Sequence, residues 1–199
     1  MRHVTTLLLC CAALAGRAAA QFGLSADVQL YSYGGVSHDT SAGNTGESFR
    51  PFRPLLVALR PEWTLGRLRL ALGIAYGTPD IAEDGEPLAV VLHNTGKLIE
   101  LSPEVSYRLA RFPRGPSIRA HAGPLIGRWK LDGEDGARTR AGAFLALSSE
   151  FPVTAKLHAV IRLSAALTSG LFEGSDLPPE FKLQGMRRAG IGMGLRYGS

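Results

Sequence analysis

The residues best suited to chemistry in this sequence fall into two groups. The first is local: Ser37-His38-Asp39 sets a hydroxyl, an imidazole and a carboxylate in a row. Those are the types needed for a nucleophile, its base and an orienting acid. Neighbours on an extended chain point to opposite faces, so the three cannot converge on a strand. The segment reads as a flexible loop with no catalytic role. His93, His121 and His158 lack metal-ligand spacing, and His121 and His158 read as interior hydrogen-bonding groups. Asp80, Glu83, Asp84 and Glu86 could hold Ca²⁺ or Mg²⁺ loosely through carboxylate oxygens, but solvated loop charge explains them as well. No metal and no cofactor is expected.

The second group is dispersed. Asp27, Arg60, Glu62, Arg69, Glu100, Glu104, Arg108, Arg119, Glu150, Arg162 and Arg196 each stand in a stretch where apolar residues occupy every other position. Charges placed that way share a buried face, where an unpaired one costs several kcal/mol, on the order of a whole domain's stability. A structural ion-pair network is expected from them, rather than a proton or ion path.

The elements that must position these charges are strands. After residue 20 alternation dominates and no long segment has helical periodicity. Eight runs are predicted: about 22–35, 53–64, 67–77, 98–111, 116–131, 138–151, 155–171 and 183–198. In the third, Leu68, Leu70, Leu72, Ile74 and Tyr76 share one face, and Arg67, Arg69, Ala71, Gly73 and Ala75 the other. Five or six apolar positions at period two match a tilted membrane-spanning strand. Short turns near Leu65-Gly66, Pro113-Arg114-Gly115 and Pro152-Val153-Thr154 alternate with four longer polar loops. The run Leu88–Leu92 either extends the fourth strand or caps the barrel. Pro61 and Pro103 call for bulges near a rim, and Pro124 for a break in the fifth strand.

Alternation alone does not say which face is outside, since a soluble lipocalin-type barrel alternates too. Three features favour an apolar exterior. Twelve of the seventeen acids fall in the long loops, and the other five (Asp27, Glu62, Glu100, Glu104 and Glu150) sit on polar strand faces. Small residues such as Gly190, Gly192 and Gly194 suit a crowded interior. Phe22, Trp63, Tyr107, Phe151 and Tyr197 sit on apolar faces near the short-turn ends, as a girdle at a membrane interface would.

The first twenty residues read as a cleaved signal peptide. Arg2 and His3 precede an apolar Leu7–Leu14 core, and Ala18-Ala19-Ala20 offers a cleavage site, leaving a mature barrel of residues 21–199. Cys10 and Cys11 go with it, so no disulfide is expected. Twenty-two bases less Arg2 and Arg17 leave twenty against seventeen acids, a net +3. That is too mild, and too scattered, for nucleic-acid binding.

Strand count, alternation, loop order and the terminal Leu195-Arg196-Tyr197 together resemble the small eight-stranded bacterial outer-membrane barrels, the group of the OmpA membrane domain, OmpX and the lipid A deacylase PagL. The resemblance covers the whole mature chain. It implies an all-β, antiparallel up-and-down transmembrane barrel in the outer membrane of a Gram-negative-type bacterium, with a C-terminal aromatic serving assembly. The last residue here is Ser199 instead. PagL-type enzymes place His and Ser two apart on one strand face, and no His-x-Ser occurs. The expected role is therefore non-enzymatic: a monomer that stabilises the envelope or binds through its loops. Its partners are outer-membrane lipid and lipopolysaccharide. Two alternatives stay open: a lipid A- or phospholipid-modifying enzyme, and a soluble periplasmic carrier of an apolar ligand.

Overall fold

The computed structural model describes residues 21–34, 37–39, 48–52, 54–84, 89–92, 96–113, 115–133, 136–171, 181–182 and 185–198. The expected signal peptide, Cys10, Cys11, Glu86, Leu88 and His93 lie outside them, as do the side chains of Ser37, His38, Asp39, Glu83 and Asp84.

Eight long strands close into an antiparallel barrel: β1 (Gln21–Gly34), β4 (Leu55–Leu65), β5 (Leu68–Gly77), β8 (Gly96–Arg111), β9 (Ser117–Leu131), β10 (Ala137–Pro152), β11 (Leu157–Thr168) and β13 (Met186–Gly198). Among the described residues five short strands lie in the connections: β2 (Ser37–Asp39), β3 (Ser48–Phe52), β6 (Asp80–Asp84), β7 (Ala89–Leu92) and β12 (Phe181–Lys182). They form a second sheet in the order β12-β2-β3-β6-β7, so three of the loops at one end pair edge to edge. Ser37-His38-Asp39 is thus a strand rather than a flexible loop. The segment 89–92 pairs with β6 and does not extend the barrel strand. The connection at 132–136 is short, against the expectation of four long loops.

Lateral pairs fix the geometry. From Phe22 they run through Trp63, Leu70, Val105, Ala122, Leu145, Ala165 and Ala189, and return to β1 at Ser32. The circuit starts at residue 22 and ends at residue 32, a shear of ten. Eight strands with that shear tilt by about 40°. Each residue along a strand then climbs about 2.5 Å, and each step to the next strand about 3 Å.

Exposure alternates along most of each strand, with the faces opposite to those of a soluble barrel. Leu145 is 68% exposed and Arg119 is 1% exposed. Outward positions on β1, β4 and β5 carry Leu24, Val28, Leu55, Val57, Leu59, Leu70 and Ile74. Inward positions carry Asp27, Arg60, Glu62 and Arg69. The outermost large apolar residues of the wall, Leu55, Ile99 and Leu167, stand about 24 Å above Phe22 by the step sizes above, the height of a lipid-facing band. An apolar-ligand carrier needs an open apolar cavity, whereas the buried charges here leave voids of only about 20 Å³ between them.

The prolines do not act as expected. Pro124 pairs with Ala143 inside an unbroken β9–β10 register, so the strand is not interrupted. Pro61 and Pro103 are not at bulges. The β8–β9 pairs stop at Leu101↔Ile126 and resume at Val105↔Ala122, the same number of residues later on both strands. Pro103 and Pro124 face each other across that gap, so their two missing N–H groups fall in one place and the register survives. The register shift of this ladder lies elsewhere, between Arg108 and Ala110. Gly66, with φ of 65°, makes the tight turn from β4 to β5.

The interior is layered. Towards the loop end Tyr31, Tyr33, Leu56, Leu98, Trp129, Leu131 and Met186 form an apolar cluster, with Tyr33 edge-on to Trp129 at 6.2 Å. A second buried apolar group, Leu125, Phe144, Ala146 and Ala166, lies on β9, β10 and β11, and the buried charged residues pack beside it and below.

Candidate functional site

Among the described residues every carboxylate in the lumen comes from β1, β4, β8 or β10, and each meets a guanidinium from another strand. At the short-turn end Arg69 lies between Glu62 (3.3 Å) and Glu150, whose Oε2 accepts from Nη2 at 3.2 Å. Arg196 Nε donates to Glu62 at 2.8 Å. One layer up, Glu104 accepts from Arg162 Nη2 at 2.7 Å and Nη1 at 3.3 Å, with Arg60 Nε 3.8 Å away. Arg60 also pairs with Asp27, which accepts from Gln29. In the top layer Arg188 grips Glu100 with both terminal nitrogens, one at 3.0 Å, and Nη1 donates to the Tyr33 hydroxyl at 3.2 Å. The same guanidinium stacks 4.3 Å above the Tyr31 ring.

The eleven residues expected to form the network divide. Asp27, Arg60, Glu62, Arg69, Glu100, Glu104, Glu150, Arg162 and Arg196 are brought into ion pairs. Arg119 is buried but donates to Ser106 Oγ (3.4 Å) and the Arg67 carbonyl (3.2 Å) instead of a carboxylate. Arg108 is half-buried at the short-turn mouth, and among the described residues no carboxylate reaches it. Arg188, the partner of Glu100, escaped the sequence reading. Its parity with Gly190, Gly192, Gly194 and Arg196 was the available signal.

A hydroxyl, an imidazole and a carboxylate do converge here, at residues remote in sequence. His121 Nδ1 is 3.1 Å from Glu104 Oε1, and its Nε2 is 2.7 Å from Ser148 Oγ. That is the hydrogen-bond pattern of an acyl-transfer triad. Acyl transfer also needs room for the substrate and donors for an oxyanion. The two voids within the network hold about 20 Å³ each, enough for a water molecule and not for an ester. Below the Arg69–Glu150 pair a vestibule of about 410 Å³ opens at the short-turn end, with Arg108, Arg111 and His158 on its walls. Ser148 does not line it.

The five aromatics Phe22, Trp63, Tyr107, Phe151 and Tyr197 all face outward, and Phe22 meets Trp63 edge-on at 5.9 Å. By the climb per residue and per strand they fall within about 5 Å of one height. Among the described residues no group of three His, Cys, Asp or Glu converges as a metal ion would require.

A closed eight-stranded barrel with an apolar outer band and an ionic core defines the outer-membrane type of transmembrane β-barrel. Solved structures of that type superpose on it. Neisserial surface protein A matches with a TM-score of 0.58 at 12% identity, over 88% of this chain and 96% of that one. OprG from Pseudomonas aeruginosa gives 0.58 at 11% identity, over 92% and 98%. A major outer membrane protein from Thermus thermophilus gives 0.54 at 16%, over 91% and 100%. No protein-family model and no curated protein matches the chain. The likeness is one of fold.

Proposed function

We propose that this chain is a sealed, non-enzymatic barrel that acts as a monomer in the outer membrane, bracing the envelope and presenting its loop sheet for binding. The observation that carries the reading is the occupied lumen. Ion pairs run in layers from Glu62–Arg196 to Glu100–Arg188, the apolar cluster closes the loop end, and the internal voids are water-sized. Side chains, not solvent, fill a barrel of this size. The ion-pair network is structural, and the five outward aromatics anchor the barrel at the inner interface. Lipopolysaccharide and phospholipid are its immediate partners, and a closed barrel leaves its wall no unpaired strand edge for a second copy.

The Ser148–His121–Glu104 arrangement supplies the sharpest test. A fluorophosphonate probe applied to the folded protein in detergent is expected to leave Ser148 unlabelled, because Ser148 is buried and the void beside it holds about 20 Å³, room for a water molecule. Labelling that disappears in Ser148→Ala would make the barrel an acyl-transfer enzyme acting on lipid.

A further inference from the structure

The outer wall carries no charge through its apolar band, and then several at one level. Lys97 on β8 stands directly opposite Lys130 on β9, and Arg128 is the next outward residue on β9, opposite Ile99. All three are exposed on the outward face. Like charges placed directly across a ladder repel one another. Among the described residues no carboxylate pairs with any of the three, and every acid of the barrel strands points inward. A fourth outward base, Arg187 on β13, has no carboxylate partner among them either.

Depth gives this cluster its meaning. With the climb per residue and per strand set by the shear, Lys97, Arg128 and Lys130 stand about 27 to 32 Å above Phe22. Arg187 falls at about 27 Å by the same steps. The apolar band ends about 24 Å above Phe22, so the bases start where acyl chains give way to headgroups. Opposite residues on neighbouring strands have Cβ atoms about 5 Å apart and diagonal ones about 7 to 8 Å, so the three side chains fit around one or two anionic groups. Arginine offers a fork of donors for phosphate oxygens and lysine a point charge.

We propose that Lys97, Arg128 and Lys130 form a binding site on the barrel wall for the phosphates of an outer-leaflet glycolipid. The inference rests on the outer-membrane orientation proposed above, with the loop end outward. The site commits to a lipid-borne phosphate, because its three bases border the acyl-chain band and a bound lipid would lay its chains on Ile99 and Ile126 just below.

The test uses the refolded protein in detergent micelles and native mass spectrometry with bis-phosphorylated lipid A. The triple variant Lys97→Gln/Arg128→Gln/Lys130→Gln is compared with wild type and with Lys156→Gln, whose base lies at the opposite end. Wild type and Lys156→Gln are expected to retain lipid A, and the triple variant to lose about tenfold or more in affinity. Dephosphorylated lipid A is expected to bind wild type and triple variant alike. Equal retention of phosphorylated lipid A by all three proteins would overturn the site, and so would complete displacement by millimolar inorganic phosphate, which would make it a free-anion site. Failure of wild type to give a folded, heat-modifiable band in the membrane fraction would instead sink the outer-membrane reading, so the two failures are distinguishable.

Discussion

Replacing Glu104 by Ala is expected to destabilise the barrel by about 3–5 kcal/mol, the largest effect of any single charge removal in the lumen. Glu104 accepts two hydrogen bonds from Arg162, lies 3.8 Å from Arg60 and meets His121 at 3.1 Å. Deleting it leaves two guanidinium groups facing each other in a space that water enters only singly. Urea unfolding in phospholipid micelles reads the loss directly. Glu104→Gln keeps the shape and one acceptor and is expected to fall between Ala and wild type. The double variant Glu104→Ala/Arg162→Ala removes the orphaned partner along with the carboxylate, and is expected to recover part of the loss. An unchanged midpoint in Glu104→Ala would mean that the lumen is hydrated and the network is not holding the barrel.

Gly194→Val is expected to prevent closure. Gly194 sits on β13 at the seam with β1, paired with Asp27. A Cβ there would come within 2.1 Å of the Ala26 carbonyl oxygen and 2.5 Å of the Asp27 Cβ, so the two strands must separate to admit it. The clash is with backbone, which cannot yield as a flexible side chain can. A cost of roughly 3 kcal/mol or more follows from such overpacking, concentrated on the ladder that makes the sheet a barrel. Unboiled electrophoresis in SDS is the readout: wild type is expected to migrate as a compact species until heated, and Gly194→Val as the unfolded one at all temperatures. Gly34→Ala is the control, since a Cβ at Gly34 meets nothing within 4 Å.

How much of this was legible beforehand depends on the range of the signal. Alternation is a local property, so Leu68–Tyr76 announces its outward and inward faces from sequence alone, and the polar-face acids follow. Strand register is not local. Glu104, His121 and Ser148 come together because β8, β9 and β10 pair at particular offsets, and a shift of one residue would turn His121 to the lipid. Nothing in the sequence encodes that offset visibly, so the triad-like contact went unseen. The same holds for the facing prolines. Pro103 and Pro124 look like two separate defects until register sets them opposite each other. The loop sheet was hidden for another reason: segments such as Ser37–Asp39 and Phe181–Lys182 are too short to show any period. Tyr31, Tyr33 and Trp129 had the right parity for the interior, but a polar-face reading that looks for charges passes over aromatics.

In this barrel the apolar face is outside and the ionic face inside. The two tryptophans of the chain test that orientation without any added probe on the protein. Trp63 faces outward and is 43% exposed, whereas Trp129 is buried in the apolar cluster of the lumen at 3%. In vesicles of brominated phospholipid, the fluorescence of Trp129→Phe, which retains only Trp63, is expected to be strongly quenched. Trp63→Phe, which retains only Trp129, is expected to keep nearly all its emission. Quenching of Trp129 with Trp63 spared would contradict the orientation and turn the barrel inside out.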